Sequence, residues 1–480
     1  MKVNSTANET VQFKILSQTQ IEKIASAAYE ILERTGVKVN DPQIVEMLKK
    51  AGCVVKDIKV YIPSFLVNEC LSYAPKKITI SNRDGKIAMV LEKGNIYFGA
   101  GSETPFLIDS YTGNRRSWST KDIEDAAKIS DSLENMDFHM SLGLLSDAPD
   151  PMAYDIYQFA AMLKNTVKPI VSTAIDSESL KDMYNLCTII TDGEDNFRLR
   201  PNFVLYIETI SPLVHSKEVL AKIKFAATKG IPTIYTNAVN AGATGPVTLA
   251  GSIAQGAAEY LSGVVIAQLI SKGAPIIGGG TLFAMDMSTG VASYGSTENY
   301  LMDAAMTEVC NYFGLPVFSL AGCSSSKCFD GQAALEAMFG TIAAAFSGAN
   351  LIHDVGYLED GLAGSYEQLV LTDEIIGMVK RFITGVIVND NTLALDVIEK
   401  VGPGGNFLAE DHTYSNFKSE MFKPKLIDRS VYANWKAAGS KTLEVRVNEK
   451  VKEILANYRP KPVPSQKLAM IEDYMRALKK

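Results

Sequence analysis

Eight short apolar runs, spaced by segments of helical pattern, constrain this chain more than any other feature. The runs are Asn95–Gly99, Phe138–Leu142, Pro169–Thr173, Phe203–Ile207, Pro232–Thr236, Pro275–Gly279, Pro316–Leu320 and Leu351–His353. Runs this short and this continuously apolar read as strands buried on both faces, as in a parallel sheet. Helical spacing recurs between them, near 120–133, 152–164, 177–190, 216–229, 249–272, 297–313 and 331–347. Eight β/α steps are the count that closes a TIM barrel. A doubly wound open sheet shows the same alternation, so pattern alone leaves it as the alternative.

The flanks differ. Residues 1–13 read as a polar arm. Ser17 and Gln20 then form a capping-box pattern, Ile21, Ile24, Ala28, Ile31 and Leu32 follow at helical spacing, and Gly36 stops the helix. Further helices are expected near 41–51 and 63–73, and strands near 76–80 and 86–91. The expected organisation is an α/β TIM barrel over 94–371, an N-terminal α+β elaboration over 1–93 and a C-terminal helical cap over 372–480.

With 47% apolar residues among 480, the core is large enough for one such barrel. The net charge of −7 gives no electrostatic footprint for nucleic acid or an anionic membrane. Cys53, Cys70, Cys187, Cys310, Cys323 and Cys328 are scattered without a CxxC pair, which reads as a reduced, cytoplasmic protein. The polar start carries no secretory pattern, and stretches such as Pro275-Ile276-Ile277 are too short to span a bilayer.

Barrel active sites lie just past the strand ends. Glu208 follows the fourth run, and His353 ends the eighth, so these two are the catalytic candidates. An ion-paired glutamate and a buried, hydrogen-bonded histidine are the plainer alternatives. Asn237 and Asn240 follow the fifth run, Gly278-Gly279-Gly280 ends the sixth, and Ala321-Gly322-Cys323 leads away from the seventh. Glycines here suit either a wide mouth or merely tight turns. No GK[ST] or GxGxxG context supports a phosphate cradle. Tyr97, Phe98, Phe283, Tyr294 and Tyr357 gather near the same ends, with Gly279 among them. Aromatic faces flanked by carboxylates suit a cation with no proton to donate, and ordinary core packing is the alternative for each ring. No metal site is expected from spacing. A zinc site built from Cys323, Cys328, His353 and Glu208 is the competing reading.

Five segments resemble the trimethylamine methyltransferase family. They are Leu16 to Val37; Glu103-Thr104-Pro105 with Asp109 to Gly113 and Thr120-Lys121-Asp122; Ala321 to Ser324 with Ser326-Lys327, Asp330 and Gln332 to Ala334; Asn350 to Asp354; and Asp411-His412 with Phe417, Pro424, Asp428-Arg429, Tyr432 and Trp435. The resemblance implies a TIM barrel and methyl transfer to a Co(I) corrinoid held by a separate protein, with no tightly bound cofactor here. Archaeal trimethylamine enzymes of the family carry pyrrolysine in the segment that matches Ser326 to Asp330, and Cys328 stands at that position here. Members without pyrrolysine act on quaternary amines: glycine betaine leads, with proline betaine, carnitine and γ-butyrobetaine beside it. The chemistry divides the same way. A tertiary amine must be activated before it can leave, whereas a quaternary ammonium departs as a neutral amine and needs mainly positioning and desolvation. A homo-oligomer is expected. A barrel that binds a betaine without catalysis is the remaining alternative.

Overall fold

Seven of the eight runs form one parallel sheet in the computed structural model, which describes residues 13–478. Its order is Tyr97–Ala100, Leu351–Val355, Val317–Leu320, Ile276–Gly279, Thr233–Thr236, Phe203–Glu208 and Ile170–Ser172. Every neighbouring pair is parallel. The remaining run forms no ladder, but it closes the ring. Phe138 bridges Gly99 on one side, and His139 bridges Ile170 on the other. The Phe138 N–H donates to the Phe98 carbonyl at 3.3 Å, and the Val171 N–H donates to the His139 carbonyl at 3.0 Å. The sheet is therefore a closed (β/α)8 barrel and not an open doubly wound sheet.

Regular pairing fails in that run for a local reason: Leu142 adopts φ +61°, which turns the chain out of the strand direction. Inside the ring, Phe138, Met140, Val171, Val204, Tyr206, Ile234, Ile277, Phe318 and Leu351 make one buried cluster. The hairpin Ile78–Ser81 and Ile87–Leu91 plugs its floor with Ile78, Ile80, Met89 and Leu91. The interior is thus a packed core, as small barrels require.

Seven barrel helices, from Thr120–Ser132 to Gly331–Ser347, alternate with the strands, the short helix Glu194–Leu199 adding to one of the connections, and an eighth barrel helix, Tyr366–Ile383, follows the last strand. This eighth helix runs across the expected 371/372 boundary. At the N-terminus the capping box is present: the Gln20 N–H donates to Ser17 Oγ, and the Ser17 N–H donates to Gln20 Oε1. The polar arm expected over 1–13 lies outside the described residues except for Phe13. Among the described residues, one helix, Leu249–Ile270, is long and apolar enough to cross a bilayer by length and composition. It is mostly buried within the protein, against the Ser64–Tyr73 and Gln18–Glu30 helices.

Candidate active site

Strand alternation aims Tyr206 and Glu208 of one strand into the same space. The Tyr206 hydroxyl donates to Glu208 Oε1. Burial raises the Glu208 carboxyl above the usual carboxylate range; the Tyr206 donor and the nearby His353 pull it back down. On the neighbouring arc, the His353 ring stacks on Phe318 with centroids 4.3 Å apart and lies 5.9 Å from the Tyr206 ring. His353 Nδ1 is 2.7 Å from Asp354 Oδ1, yet neither ring nitrogen has a hydrogen-bond partner. Asp354 is buried at φ +70°, a conformation that side-chain-bearing residues seldom adopt without a reason.

Three rings line up beside these groups. Phe283 and Tyr294 stand on either arm of the hairpin Phe283–Asp286 and Val291–Ser293, and their centroids are 4.4 Å apart. Tyr294 meets Tyr357 edge to face at 6.2 Å. The charges of Asp354 and Glu208 both bear on Tyr294. Each ring is fixed from behind. The Phe283 N–H donates to the Val239 carbonyl, and the preceding Leu282 N–H donates to Asp303 Oδ1 at 2.9 Å. The Tyr294 N–H donates to Asp360 at 3.0 Å. The Ser102 N–H donates to the Tyr357 hydroxyl at 2.6 Å.

A second carboxylate, Glu103, follows the first strand at φ +52° and accepts from the Thr173 hydroxyl at 2.7 Å. Burial raises its carboxyl too, and that of Asp303 strongly. The Lys222 ammonium is the cation that both Glu103 and Glu208 feel, and it donates to the Ala174 carbonyl at 2.7 Å. Carboxyl groups therefore outnumber cations here. A buried surplus of carboxylates is costly unless a cation joins them.

Of the residues singled out from sequence, Glu208, His353, Phe283, Tyr294 and Tyr357 come together. Tyr97 and Phe98 do not. Their strand begins at Tyr97 and not at Asn95, so Tyr97 sits at the barrel floor, where its hydroxyl accepts the Val90 N–H at 2.9 Å. Phe98, one residue on, faces outward beneath the Lys380 ammonium, 5.9 Å from its centroid. Gly279 serves the backbone: at φ +137°, a Cβ there would meet the Phe318 carbonyl oxygen at 2.2 Å. Gly101 and Gly99 likewise make room for the rings of Tyr357 and Phe138. Cys328 is exposed, 3.8 Å from Asp330, whereas Cys323 is wholly buried and burial pushes its thiol far up. The zinc reading fails on geometry, since the described residues contain no group of three or more His, Cys, Asp or Glu side chains placed to hold a metal. Tyr206, Asp303 and Phe318 were not singled out from sequence, and Asp354 was named there only within a family-like segment and not as a site residue. Period-two alternation from Glu208 points to Tyr206, and a carboxylate among the buried positions of helix Thr297–Tyr312 marks Asp303.

A closed parallel barrel with an imidazole, carboxylates and stacked rings at its strand ends defines a barrel enzyme. The chain belongs to the trimethylamine methyltransferase (MttB) family, whose pattern matches residues 1–480. It is 33% identical to a glycine betaine methyltransferase of Desulfitobacterium hafniense strain Y51, over 94% of each chain. It is also 33% identical to the trimethylamine methyltransferase MttB of Methanosarcina thermophila, over 94% of this chain and 95% of that one. The crystal structure of the Methanosarcina barkeri monomethylamine methyltransferase shares the fold, with a TM-score of 0.50 at 12% identity over 94% of this chain and 89% of that one. The protein is a methyltransferase.

Proposed function

We propose that this chain takes a methyl group from a quaternary amine, glycine betaine first, and delivers it to the Co(I) corrinoid of a separate cognate protein. The observation that carries this reading is the contiguous set Phe283, Tyr294 and Tyr357 beside Glu208 and Asp354. A quaternary ammonium offers no hydrogen bond, so ring faces and carboxylates are the groups that hold it. The carboxylate of a betaine needs a donor, and the imidazole of His353, whose Nδ1 faces Asp354 and whose Nε2 has no hydrogen-bond partner, can supply one. Proline betaine, carnitine and γ-butyrobetaine share both features and differ in length.

The protein's own part is binding, orientation and exclusion of water. The buried rings desolvate the ammonium, which raises its readiness to lose a methyl group. The carbon–nitrogen bond breaks, and its electron pair stays on nitrogen as a neutral tertiary amine, so no general acid is needed. No side chain here is a ready acceptor: Cys323, the thiol nearest the rings, is buried and held protonated. The acceptor therefore comes from outside, and the corrinoid supplies the nucleophilic cobalt. A cytoplasmic location goes with this reading, since all six cysteines are free thiols.

The test supplies purified protein with Co(I) corrinoid protein and a panel of amines. Methylation of the corrinoid with glycine betaine, and little with trimethylamine, is the expected result. Equal rates with trimethylamine overturn the substrate assignment. Tight glycine betaine binding without any transfer favours a binding protein instead.

A further inference from the structure

Glu359, Asp360 and Gly361 stand in a row at φ +51°, +54° and +81°, in the turn beyond the eighth barrel strand. Glycine takes this region freely, whereas a residue with a side chain stays there only where its surroundings hold it. Two backbone bonds clamp the turn to the loop after the seventh strand. The Glu359 N–H donates to the Ser326 carbonyl at 2.7 Å, and the Asp360 N–H donates to the Ser324 carbonyl at 3.1 Å. Neither bond requires a particular side chain. What Asp360 adds is its carboxylate.

One oxygen of that carboxylate, Oδ1, accepts from both Tyr294 and Ser325. The Tyr294 N–H donates to it directly at 3.0 Å. The Ser325 hydroxyl also donates to it, and itself accepts the Gly295 N–H at 3.2 Å. Asp360 therefore holds two successive amides behind the ring hairpin, one directly and one through a relay. Ser325 is set in turn by Glu336, whose Oε2 accepts the Ser325 N–H at 2.8 Å and the Ser324 hydroxyl at 2.6 Å. The turn also lies against the rings: a Cβ on Gly361 would meet the Tyr294 ring at 3.4 Å and the Tyr357 ring at 3.5 Å.

Tyr294 has little else to fix its backbone. The arm before it, Val291–Ser293, is an edge strand that pairs, among the described residues, with Phe283–Asp286 alone. The next helix begins only at Thr297. The Tyr294 carbonyl accepts the Cys323 thiol at 3.7 Å, and a thiol is a weak donor. Because Tyr294 is the middle ring, a shift of its backbone changes its spacing to Phe283 and to Tyr357 at once. We propose that Asp360 is a positioning residue: through the Tyr294 amide and Ser325 it sets the spacing of the three rings, and with it the fit of an ammonium group against them. That the rings take an ammonium group rests on the proposed function; that Asp360 holds Tyr294 does not.

Four variants of the full chain test this with two readouts. Hydrogen exchange without ligand follows the segment around Tyr294 and Gly295, and calorimetry follows glycine betaine binding. Asp360→Gly keeps the turn and removes the carboxylate, and should speed exchange of that segment roughly tenfold. It should also weaken glycine betaine binding roughly tenfold. Ser325→Ala leaves the turn residues in place and should move both readouts the same way, which keeps the test open if Asp360→Gly folds poorly. Asp360→Asn retains an accepting oxygen and should restore both. Glu359→Gly relaxes the same turn, at the loss of an ion pair with the half-exposed Arg115, and should change neither. A turn that matters only for its shape would respond alike at 359 and 360, and that result overturns the inference. Unchanged exchange in both Asp360→Gly and Ser325→Ala overturns it as well. So does faster exchange with unchanged affinity, in a parent protein that binds glycine betaine. If the parent protein binds no betaine, the substrate assignment fails, and exchange alone still decides whether Asp360 holds Tyr294.

Discussion

Tyr206 and Glu208 lie two residues apart on one barrel strand, and the tyrosine hydroxyl donates to the carboxylate. Burial pushes the carboxyl up, and that donor counters it. The ionised form attracts a quaternary ammonium, so affinity for glycine betaine should rise with pH through the Glu208 pKa and then level off. Tyr206→Phe removes a donor to the ionised form and should move this rise to higher pH. In the free protein the sign reverses: a raised carboxyl pKa stabilises the fold below the ordinary carboxylate range, and that stability is lost as pH rises through the raised value. Calorimetric titration across pH checks the binding limb. Affinity that does not change with pH removes Glu208 from the ligand's surroundings.

Tyr294 stands in the middle of the ring set, between Phe283 and Tyr357. Tyr294→Ala should weaken glycine betaine binding by about 1–2 kcal/mol, or roughly 5- to 30-fold. Tyr294→Phe keeps the ring face and should keep most of the affinity. Loss of binding in both variants points to the hydroxyl and against the cage.

Tyr97 should behave in the opposite way. It fills the barrel floor and accepts the Val90 N–H. Tyr97→Ala leaves a cavity and should cost about 3–5 kcal/mol of stability, read by denaturant unfolding. Binding by the fraction that remains folded should be unchanged, and a selective loss of affinity returns Tyr97 to the site.

Gly101 allows the Tyr357 ring to close over the first strand, since a Cβ there would lie 2.0 Å from the ring. Gly101→Ala should displace that ring, cost about 1–3 kcal/mol of stability and lower betaine affinity together. Unchanged affinity in this variant would show that Tyr357 is not part of the binding surface.

Cys328 is exposed on the loop before helix Gly331–Ser347, with its thiol near Asp330. Cys328→Ser should leave methyl transfer from glycine betaine unchanged within about twofold, because a serine hydroxyl keeps a polar contact to the same carboxylate. A large loss would give this position a chemical role.

Much of the fold was legible because barrel strands and helices announce themselves locally. Strands buried on both faces need continuous apolar runs, and the helices covering them need one apolar stripe, so both periods survive in the sequence. The Ser17 capping box and the helices that match the expected ranges are of this kind. Glu208 was legible for the same reason, since it closes its apolar run and its strand, whereas the strand expected to end at His353 continues through Asp354 to Val355. Register was not legible. Tyr97 and Phe98 differ from the expectation by a shift of two residues in where pairing begins, and a shift along a barrel strand decides whether a ring reaches the mouth or the floor. Whether Gly279 and Gly101 donate to a ligand or yield to a neighbour depended on which atoms approach them across the barrel. The partnership of Phe283, Tyr294 and Tyr357 likewise came from two separate segments, the hairpin after the sixth strand and the turn after the eighth. Sequence fixes what each segment tends to form by itself, whereas contacts between distant segments exist only once the barrel has closed and brought them together.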